Sequence, residues 1–339
     1  MTEPVATETV PSLGILDEVD NSLVVKVHIF RAALELDVIP AVAAGHRDAE
    51  SIARATGCSP VPMRVVLDGL CVLGLLHWSH GAYSLTPTAE AYLVPGKPTY
   101  CARMFLDDLR TWDHFTENVR SGQVQTDYAS ADATGLWAAN AASSLLTWPD
   151  DLATYRGRWS ALGVTAASMP GARVLDVGCG SAIASLVLAL DDPAATVTGI
   201  DREPVVEVAS RLAEAMGVAS RASFVAGDVT ALQRLDGPFD VAFFGWVLHY
   251  LDSIEIRSTL RQVHRLLAPS GRIVVLEVLP TPGVFDDPYP YLAAVSLFNV
   301  ARRGRVYTLE EYVAMLAEAG FGPARRLEGT PWFQAERSE

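Results

Sequence analysis

The chain has 339 residues, four cysteines and a formal net charge of −14. This length exceeds one typical domain, so two domains are expected. No apolar run has the length and purity of a membrane span, and the first residues do not resemble a secretion signal. The negative charge disfavours nucleic acids and anionic membranes as partners. The cysteines include no CxxC pair and are expected to be reduced thiols. These features predict a cytoplasmic protein.

The N-terminal third is predicted to be mainly helical. Residues 1–12 are polar and are expected to form a disordered tail. The patterns that follow are helices at Leu13–Asp20, Leu23–Ala44 and Arg47–Ala53, a turn at Thr56–Ser59, a helix at Pro62–Leu76 and a hairpin at His77–Leu85. The order helix, turn, helix, hairpin is typical of a winged helix, and we assign residues 13–97 to such a domain.

A winged helix raises the question of DNA binding. The helix that would read DNA, Pro62–Leu76, carries Arg64 as its one basic residue and also Asp68. A DNA-binding helix neutralises several phosphates with basic side chains. A transcription regulator is therefore disfavoured, and this domain is expected to serve dimerisation.

Helical patterns continue over residues 98–165, which we interpret as a linker. From residue 166 to 339, short apolar runs alternate with helical patterns. The candidate strands are Arg173–Val177, Thr196–Ile200, Ser223–Ala226, Val241–Phe244 and Arg272–Val278, with tail strands at Ala324–Leu327 and Trp332–Ala335. Candidate helices lie at about 181–190, 203–216, 255–267 and 309–319. This alternation predicts an α/β domain with a Rossmann-like, doubly wound, mainly parallel sheet.

A glycine-rich turn follows the first of these strands, in the sequence Asp176-Val-Gly178-Cys-Gly180. The glycines allow a tight turn and close approach of a ligand. The third glycine of a dinucleotide site is replaced by Ile183, and no phosphate-binding lysine follows. The turn therefore favours a ligand that carries an ammonium and a sulfonium but no phosphate.

Two further strands also end in an acid. Asp201 follows the second strand, 21 residues after Gly180, where open α/β sheets place an acid for ribose hydroxyls. Asp228 follows the third strand, where a carboxylate can accept a hydrogen bond from an adenine amino group. Three acids at the carboxyl edge of one sheet indicate a nucleoside-like ligand.

The region from about 171 to 280 resembles the class I S-adenosylmethionine-dependent methyltransferases. The sequence VLDVGCGSA at Val174–Ala182 matches their first motif, with Ala182 where the family often has glycine, and the turn Ala268–Arg272 fits before the fifth strand. With its N-terminal domain, the chain is similar to bacterial relatives of the plant small-molecule O-methyltransferases. The resemblance implies a seven-stranded domain, S-adenosylmethionine as cofactor and a homodimer formed through the N-terminal domain. The implied cofactor-binding residues are Asp176, Gly178, Cys179, Gly180, Asp201, Arg202, Gly227, Asp228, Val229, Gly245 and Trp246.

His249 is the candidate general base. It matches the histidine of the family pattern Leu-His-Asp-Trp, in which Tyr250 and Leu251 replace the last two residues. An imidazole suits proton removal from a phenol. The family also places an acid before an Arg-Thr pair, and Val306 occupies that position. This leaves open C- or N-methylation of an aromatic ring, amino acid or α-keto acid, and a structural role for His249.

Aromatic residues in the segments that line the family's acceptor site predict a flat aromatic or hydrophobic acceptor. The candidate substrate-binding residues are Phe105, Trp112, Phe115, Trp246, Tyr250, Tyr291, Phe298 and Asn299. The cluster of Arg302, Arg303 and Arg305 is expected to be solvated, with an acceptor carboxylate as the alternative. His264 is expected to pack or cap, and no metal site is predicted.

The leading hypothesis is O-methylation of a small molecule in bacterial secondary metabolism, in the cytoplasm, with no nucleic acid or membrane partner. C- and N-methylation are alternatives of the same fold. A protein that binds the cofactor but catalyses a different reaction, such as a decarboxylation, is a further alternative.

Overall fold

A computed structural model describes residues 23–130 and 133–338. The predicted tail at 1–12 and the predicted helix Leu13–Asp20 lie outside this range. The chain divides into two compact units, Met1–Leu109 and Arg110–Glu339. The proposed domain limits at residues 97 and 165 stay predictions.

The first unit is helical with one small hairpin. Its helices are α1 (Val24–Glu35), α2 (Val38–Ala43), α3 (Ala49–Ala55), α4 (Pro60–Val72) and α5 (Pro87–Leu93), and its strands are β1 (Leu76–Ser79) and β2 (Ala82–Leu85). The hairpin turns at His80 and Gly81, both at positive φ, as its sequence predicted. Helix α6 (Ala102–Thr111) begins in this unit.

Two helix predictions in this unit were wrong in their limits. The single helix predicted at Leu23–Ala44 is interrupted by Asp37, which has a φ of 52°; a left-handed residue cannot continue a right-handed helix. Helix α4 starts at Pro60 and ends at Val72, while Leu76 already belongs to the hairpin. Proline is favoured in the first turn of a helix, which explains the earlier start.

The second unit is built on a seven-stranded sheet. Its strands are β3 (Arg173–Val177), β4 (Thr196–Asp201), β5 (Ala222–Ala226), β6 (Phe239–Gly245), β7 (Leu267–Leu276), β8 (Arg325–Arg326) and β9 (Trp332–Glu336). The order across the sheet is β5-β4-β3-β6-β7-β9-β8. Pairs among β3 to β7 are parallel, and β9 is antiparallel to β7 and β8. This sheet confirms the predicted α/β class.

Helices cover both faces of the sheet. Those that pack on it are α9 (Ser144–Ala161), α10 (Ile183–Asp191), α11 (Glu203–Ala215), α12 (Ser253–Leu266) and α14 (Leu309–Glu318). The unit also contains α7 (Phe115–Ser121), α8 (Thr134–Ala142) and α13 (Tyr289–Val300). Alternate residues of β3 face opposite cores. Leu175 and Val177 pack in one core with α12 and α14, whereas Val174 packs in another with α9, α10 and α11. Because β3, β4, β5 and β6 are parallel, their carboxyl ends lie at the same edge of the sheet.

Candidate active site

The glycine turn after β3 is held against the end of β4. The N–H groups of Gly178 and Cys179 donate to the carbonyl oxygen of Ile200, at 2.9 and 3.2 Å. Gly178 has a φ of 70°, and a Cβ there would lie 2.6 Å from Cγ2 of Val247. A side chain at this position would have to displace Val247 and adopt a left-handed backbone conformation. At Gly180, by contrast, a Cβ would meet no atom within 4 Å, so that side of the turn is open for a ligand.

Asp201 ties the turn to β4. One of its carboxylate oxygens, Oδ2, accepts from the Gly180 N–H at 2.9 Å, and Oδ1 accepts from the Arg202 N–H at 2.8 Å. Burial raises the pKa of Asp201. The Gly227 N–H donates to the Asp201 carbonyl oxygen at 2.8 Å, so the end of β5 is fixed to the same residue.

Asp176 is buried beneath the turn with one oxygen unused. Its side chain is 1% exposed, and Oδ2 has no hydrogen-bond partner among the described residues. Burial, followed by the charge of Asp201, raises the pKa of Asp176 to about 8. An unpartnered buried carboxyl oxygen favours a positively charged group beside it. Cys179, between the two glycines, is a buried thiol whose pKa burial raises.

The remaining predicted cofactor residues lie at the same edge of the sheet. Asp228 is exposed, and its Oδ1 accepts from the N–H and hydroxyl of Thr230 at 2.8 and 2.6 Å, while Val229 is partly buried. The Arg202 guanidinium has other partners: it donates to the carbonyl oxygens of Ser130, at 2.6 Å, and Ala129. Arg202 therefore fixes the chain before α8.

Trp246 follows β6, which ends at Gly245, in a strained conformation. Its φ is 57° and its side chain is 39% exposed. Its N–H donates to the Leu276 carbonyl oxygen at 2.9 Å. A bulky residue at positive φ is rare and is often found at functional sites. The indole ring thus remains accessible at the carboxyl end of β6.

His249 is paired with a buried acid that the sequence did not single out. Its Nδ1 lies 2.6 Å from Oε2 of Glu277, which follows β7 and is 0% exposed. Oε1 of Glu277 accepts from the Leu248 N–H at 2.7 Å. The carboxylate favours the proton on Nδ1, which leaves Nε2 of the neutral ring as an acceptor. The His249 side chain is 10% exposed, and Nε2 makes no hydrogen bond to the described residues.

Aromatic side chains extend from His249 along one side. The Tyr250 ring lies 4.4 Å from the imidazole, centroid to centroid, and 5.0 Å from Trp137. Trp137 in turn lies 6.1 Å from Tyr128 and donates through Nε1 to the Tyr128 carbonyl oxygen. Sequence analysis predicted Tyr250 but missed Trp137 and Tyr128, whose only signal was their aromatic character.

A second aromatic group contains three of the predicted substrate residues. Phe115 contacts Trp112 at 5.2 Å and Phe298 at 6.4 Å between ring centroids. Tyr291 lies apart from them, with its ring 4.7 Å from Phe285 and its hydroxyl donating to the Thr281 carbonyl oxygen. Phe105 belongs to the first unit, where its ring packs 5.7 Å from Phe30.

Asn299 lies in a buried polar network rather than on a surface. It is 0% exposed; its Nδ2 donates to Thr111 Oγ1 and its Oδ1 accepts from Asn118 Nδ2, both at 2.9 Å. The Oδ1 atom of Asn118 is buried and has no partner among the described residues. Within this trio, the unused acceptor therefore belongs to Asn118, and a substrate contact of Asn299 stays a prediction.

Two of the three clustered arginines are occupied by acids. Arg303 pairs with Glu255, and Arg305 pairs with Glu311 at 2.5 Å. Arg302 is exposed. In the part of the chain that the structure describes, no group of three or more His, Cys, Asp or Glu side chains could hold a metal ion. No described helix is long and apolar enough to cross a bilayer.

The residues of the glycine turn fit a cofactor with a positive charge. The open side of Gly180 offers space, and the unpartnered Oδ2 of Asp176 offers a site for a cation. Asp201 and Asp228 lie at the ends of the next two strands, where nucleoside hydroxyls and amino groups bind in such sheets. These features agree with S-adenosylmethionine, which carries an ammonium, a sulfonium and a nucleoside.

Comparison with known protein families gives two matches. Residues 174–271 match a methyltransferase domain, and residues 22–95 match an O-methyltransferase dimerisation domain. The first match runs from β3 into the first half of β7 and includes the turn that carries His249. The second lies within the first unit.

Similar proteins cover almost the whole chain. Acetylserotonin O-methyltransferase of Mus musculus is 30% identical over 316 residues, covering 87% of this chain and 80% of the mouse protein. The 3-hydroxy-5-methyl-1-naphthoate 3-O-methyltransferase of Streptomyces sahachiroi is 29% identical over 307 residues, or 88% and 87% of the two chains. The structure of human N-acetylserotonin methyltransferase in complex with S-adenosylmethionine aligns with a TM-score of 0.70 at 21% identity, covering 99% of this chain and 100% of that chain.

Proposed function

Because the chain belongs to the S-adenosylmethionine-dependent O-methyltransferases with an N-terminal dimerisation domain, we propose that it methylates a hydroxyl group of a small aromatic acceptor with His249 as general base. The observation that carries this proposal is the pair formed by His249 Nδ1 and Glu277 Oε2, 2.6 Å apart. It supports the tautomer with the proton on Nδ1, which leaves Nε2 to accept a proton.

The sequence alone left C- and N-methylation open because Val306 occupies the position of a family acid. Glu277 supports O-methylation, since it supplies a buried carboxylate beside the imidazole from the end of β7. A hydroxyl must lose its proton as its oxygen is methylated, so a supported base is useful for this reaction. The names of the mouse and Streptomyces relatives describe O-methyl transfer to aromatic acceptors, which also supports this choice.

The proposed roles follow from the geometry. When bound, S-adenosylmethionine supplies a methyl group on a positively charged sulfur. Asp176, Gly178, Gly180 and Asp201 would hold it at the carboxyl edge of the sheet, with further contacts from Gly227, Asp228, Val229, Gly245 and Trp246. His249 would accept the hydroxyl proton at Nε2. Glu277 would keep the imidazole oriented and stabilise its charge once it is protonated.

The aromatic residues would bind the acceptor ring. Tyr250 lies next to the imidazole, Trp137 packs against the Tyr250 ring, and Trp246 is accessible at the end of β6. Trp112, Phe115 and Phe298 would add a second apolar surface. Positioning of the hydroxyl by such a pocket supplies much of the rate in a displacement of this kind.

The proposal also includes the assembly and its place in the cell. Two copies of the chain would pair through the first unit, consistent with its dimerisation domain. The enzyme would act on a small molecule in the cytoplasm, with no nucleic acid partner, as the net charge of −14 supports.

A labelled-methyl assay tests the reaction. The wild-type enzyme is incubated with methyl-labelled S-adenosylmethionine and a panel of phenols, hydroxylated aromatic acids, amines and α-keto acids, and the products are located by mass spectrometry. We expect label on a phenolic oxygen and a loss of about 100-fold or more in His249→Ala. Label on carbon or nitrogen, or full activity of His249→Ala, would contradict the proposal. Cofactor binding without any methylated product would favour a different reaction.

A further inference from the structure

The segment Arg303–Thr308, here called the brace, lies against the turn that carries His249. Gly304 makes the closest approach: a Cβ at this position would lie 2.1 Å from the His249 carbonyl oxygen and 2.7 Å from the Tyr250 Cα. Both atoms belong to the backbone and cannot rotate away. Any residue larger than glycine at 304 must therefore displace either the brace or the backbone of His249.

Two more residues join the brace to the same region. The Tyr307 hydroxyl donates to the Leu251 carbonyl oxygen at 3.1 Å, and its side chain is 2% exposed. Arg303 pairs with Glu255, whose Oε2 accepts from the Asp252 N–H at 3.0 Å. The brace thus touches the chain at His249 and Leu251 and, through Glu255, at the start of α12.

The brace is itself fixed at its C-terminal end. Thr308 caps α14, with its N–H donating to Glu311 Oε2 at 2.9 Å and its hydroxyl accepting from the Glu311 N–H at 3.3 Å. Arg305 donates to both carboxylate oxygens of Glu311, at 3.1 and 2.5 Å. A segment anchored to a helix in this way can transmit its position to the turn it touches.

We propose that Gly304 and Tyr307 are positioning residues for His249, an inference that rests on the proposed function of His249 as base. Glu277 fixes the imidazole ring, and the brace fixes the backbone from which the ring projects. Together, Glu277 and the brace explain how His249 keeps its position and orientation although Val306 replaces the family acid. The brace acts through backbone contact and one hydroxyl, with no carboxylate of its own.

Gly304→Ala tests the close approach. The added methyl group displaces the His249 backbone, and a shift of about 1 Å at a reacting group lowers kcat about 10- to 100-fold. The dissociation constant for S-adenosylmethionine should stay within about twofold, since the brace contacts the chain at His249 and beyond and makes no hydrogen bond to the glycine turn among the described residues. Gly157→Ala is the matched control: a Cβ there meets no atom within 4 Å, and its activity should equal that of the wild type.

Tyr307→Phe tests the hydroxyl and decides the matter if Gly304→Ala does not fold. It keeps the ring and removes one hydrogen bond to Leu251, so we expect kcat to fall about 3- to 10-fold with an unchanged KM for the cofactor. Tyr312→Phe is its control. The Tyr312 ring lies 5.5 Å from that of Tyr307, but its buried hydroxyl has no partner among the described residues. Wild-type kcat in both Gly304→Ala and Tyr307→Phe would overturn the proposal, as would wild-type kcat in Tyr307→Phe alone if Gly304→Ala does not fold.

A measurement on the imidazole separates this inference from the proposed function. The side-chain nitrogen signals of ¹⁵N-labelled histidine are assigned to His249 by comparison with His249→Asn. Gly304→Ala should shift the His249 Nδ1 signal, because the distance to Glu277 changes, whereas Gly157→Ala should not. An unchanged His249 signal in Gly304→Ala overturns the positioning role. If His249→Ala loses activity but neither Gly304→Ala nor Tyr307→Phe changes kcat, this inference alone is wrong. If the wild type is inactive on every acceptor, the proposed function is wrong.

Discussion

Asp201 Oδ2 lies 2.9 Å from the backbone nitrogen of Gly180. Asp201, at the end of β4, therefore stabilises the turn after β3 through a hydrogen bond and is also a candidate ligand for ribose hydroxyls. Both uses require an oxygen acceptor at the same place, and both depend on the register in which Asp176 pairs with Gly199 of the neighbouring strand.

Asp201→Ala should weaken binding of S-adenosylmethionine about 10- to 100-fold, because two N–H groups lose a partly buried acceptor. Isothermal titration calorimetry measures the change. Asp191→Ala is a suitable control, since it removes an acid that forms only a surface ion pair with Arg156. Equal affinities of the two variants would show that Asp201 neither holds the turn nor contacts the cofactor.

Cofactor binding is expected to release a proton from Asp176. Its pKa of about 8 leaves the carboxyl mostly protonated at pH 7, and a cation beside Oδ2 favours the ionised form. Up to about one proton per site should leave at pH 7. Calorimetry in two buffers with different ionisation enthalpies measures this number, which should approach zero in Asp176→Asn. A binding enthalpy of the wild type that does not depend on the buffer would contradict the expectation.

The same group makes the stability of the free enzyme depend on pH. The pKa of Asp176 is higher in the folded protein, about 8, than its ordinary value of 3.8, so the folded state holds the proton more tightly. The free energy of unfolding should therefore fall between pH 4 and 8, by up to about 1.4 kcal/mol per pH unit from this group. Urea unfolding at pH 5 and pH 8 tests this, with Asp176→Asn as reference. Between pH 5 and pH 8, the free energy of unfolding of the wild type should fall relative to that of Asp176→Asn.

Ala182→Gly should stabilise the fold. Ala182 has a φ of 59° at the start of α10, and a left-handed residue with a side chain costs about 1–2 kcal/mol relative to glycine. Loss of its buried methyl group offsets part of the gain, about 0.8 kcal/mol. Ala184→Gly loses a similarly buried methyl inside the helix and should destabilise by about 1 kcal/mol or more. Chemical denaturation of both variants compares them; a less stable Ala182→Gly would mean that the position is unstrained.

Glu277→Gln should lower kcat about 100-fold or more, since a neutral amide cannot stabilise a protonated imidazole as a carboxylate does. Its shape is nearly unchanged, and the amide oxygen can still accept from the Leu248 N–H. Initial-rate kinetics on the acceptor identified by the labelled-methyl assay give kcat, and calorimetry gives the affinity for the cofactor. Reduced affinity for the cofactor with normal kcat would assign Glu277 to the binding site instead.

The candidate cofactor half of the site is visible in the sequence because its signals are local. A strand that ends in an acid and is followed by glycines, as at Asp176, Gly178 and Gly180, specifies a turn by the backbone conformations it needs. The parallel sheet then brings Asp201 and Asp228 to the same edge, whatever the loops between them do. Short-range pattern and simple topology were sufficient here.

In the candidate catalytic pair, the sequence pointed to His249 but not to its partner Glu277. Glu277 stands in the apolar run Val274–Val278, where it reads as part of a strand, and its partner is 28 residues away in sequence. Asn299 was a reasonable candidate for a substrate contact, but its partners Thr111 and Asn118 lie 188 and 181 residues away. A useful signal was available for Glu277: a charged residue inside a buried strand requires a partner.

Arg202 carries a practical consequence for redesigning the acceptor specificity of this enzyme. Its backbone N–H donates a hydrogen bond to Asp201 Oδ1. Its guanidinium donates to the carbonyl oxygens of Ala129 and Ser130, a few residues before Trp137. A segment transplanted from a relative to replace the aromatic residues Tyr128 and Trp137 must therefore place two carbonyl oxygens where those of Ala129 and Ser130 lie. A graft that omits them would leave the Arg202 guanidinium without these two acceptors beside Asp201. A change to the proposed acceptor pocket would then also disturb the proposed cofactor site.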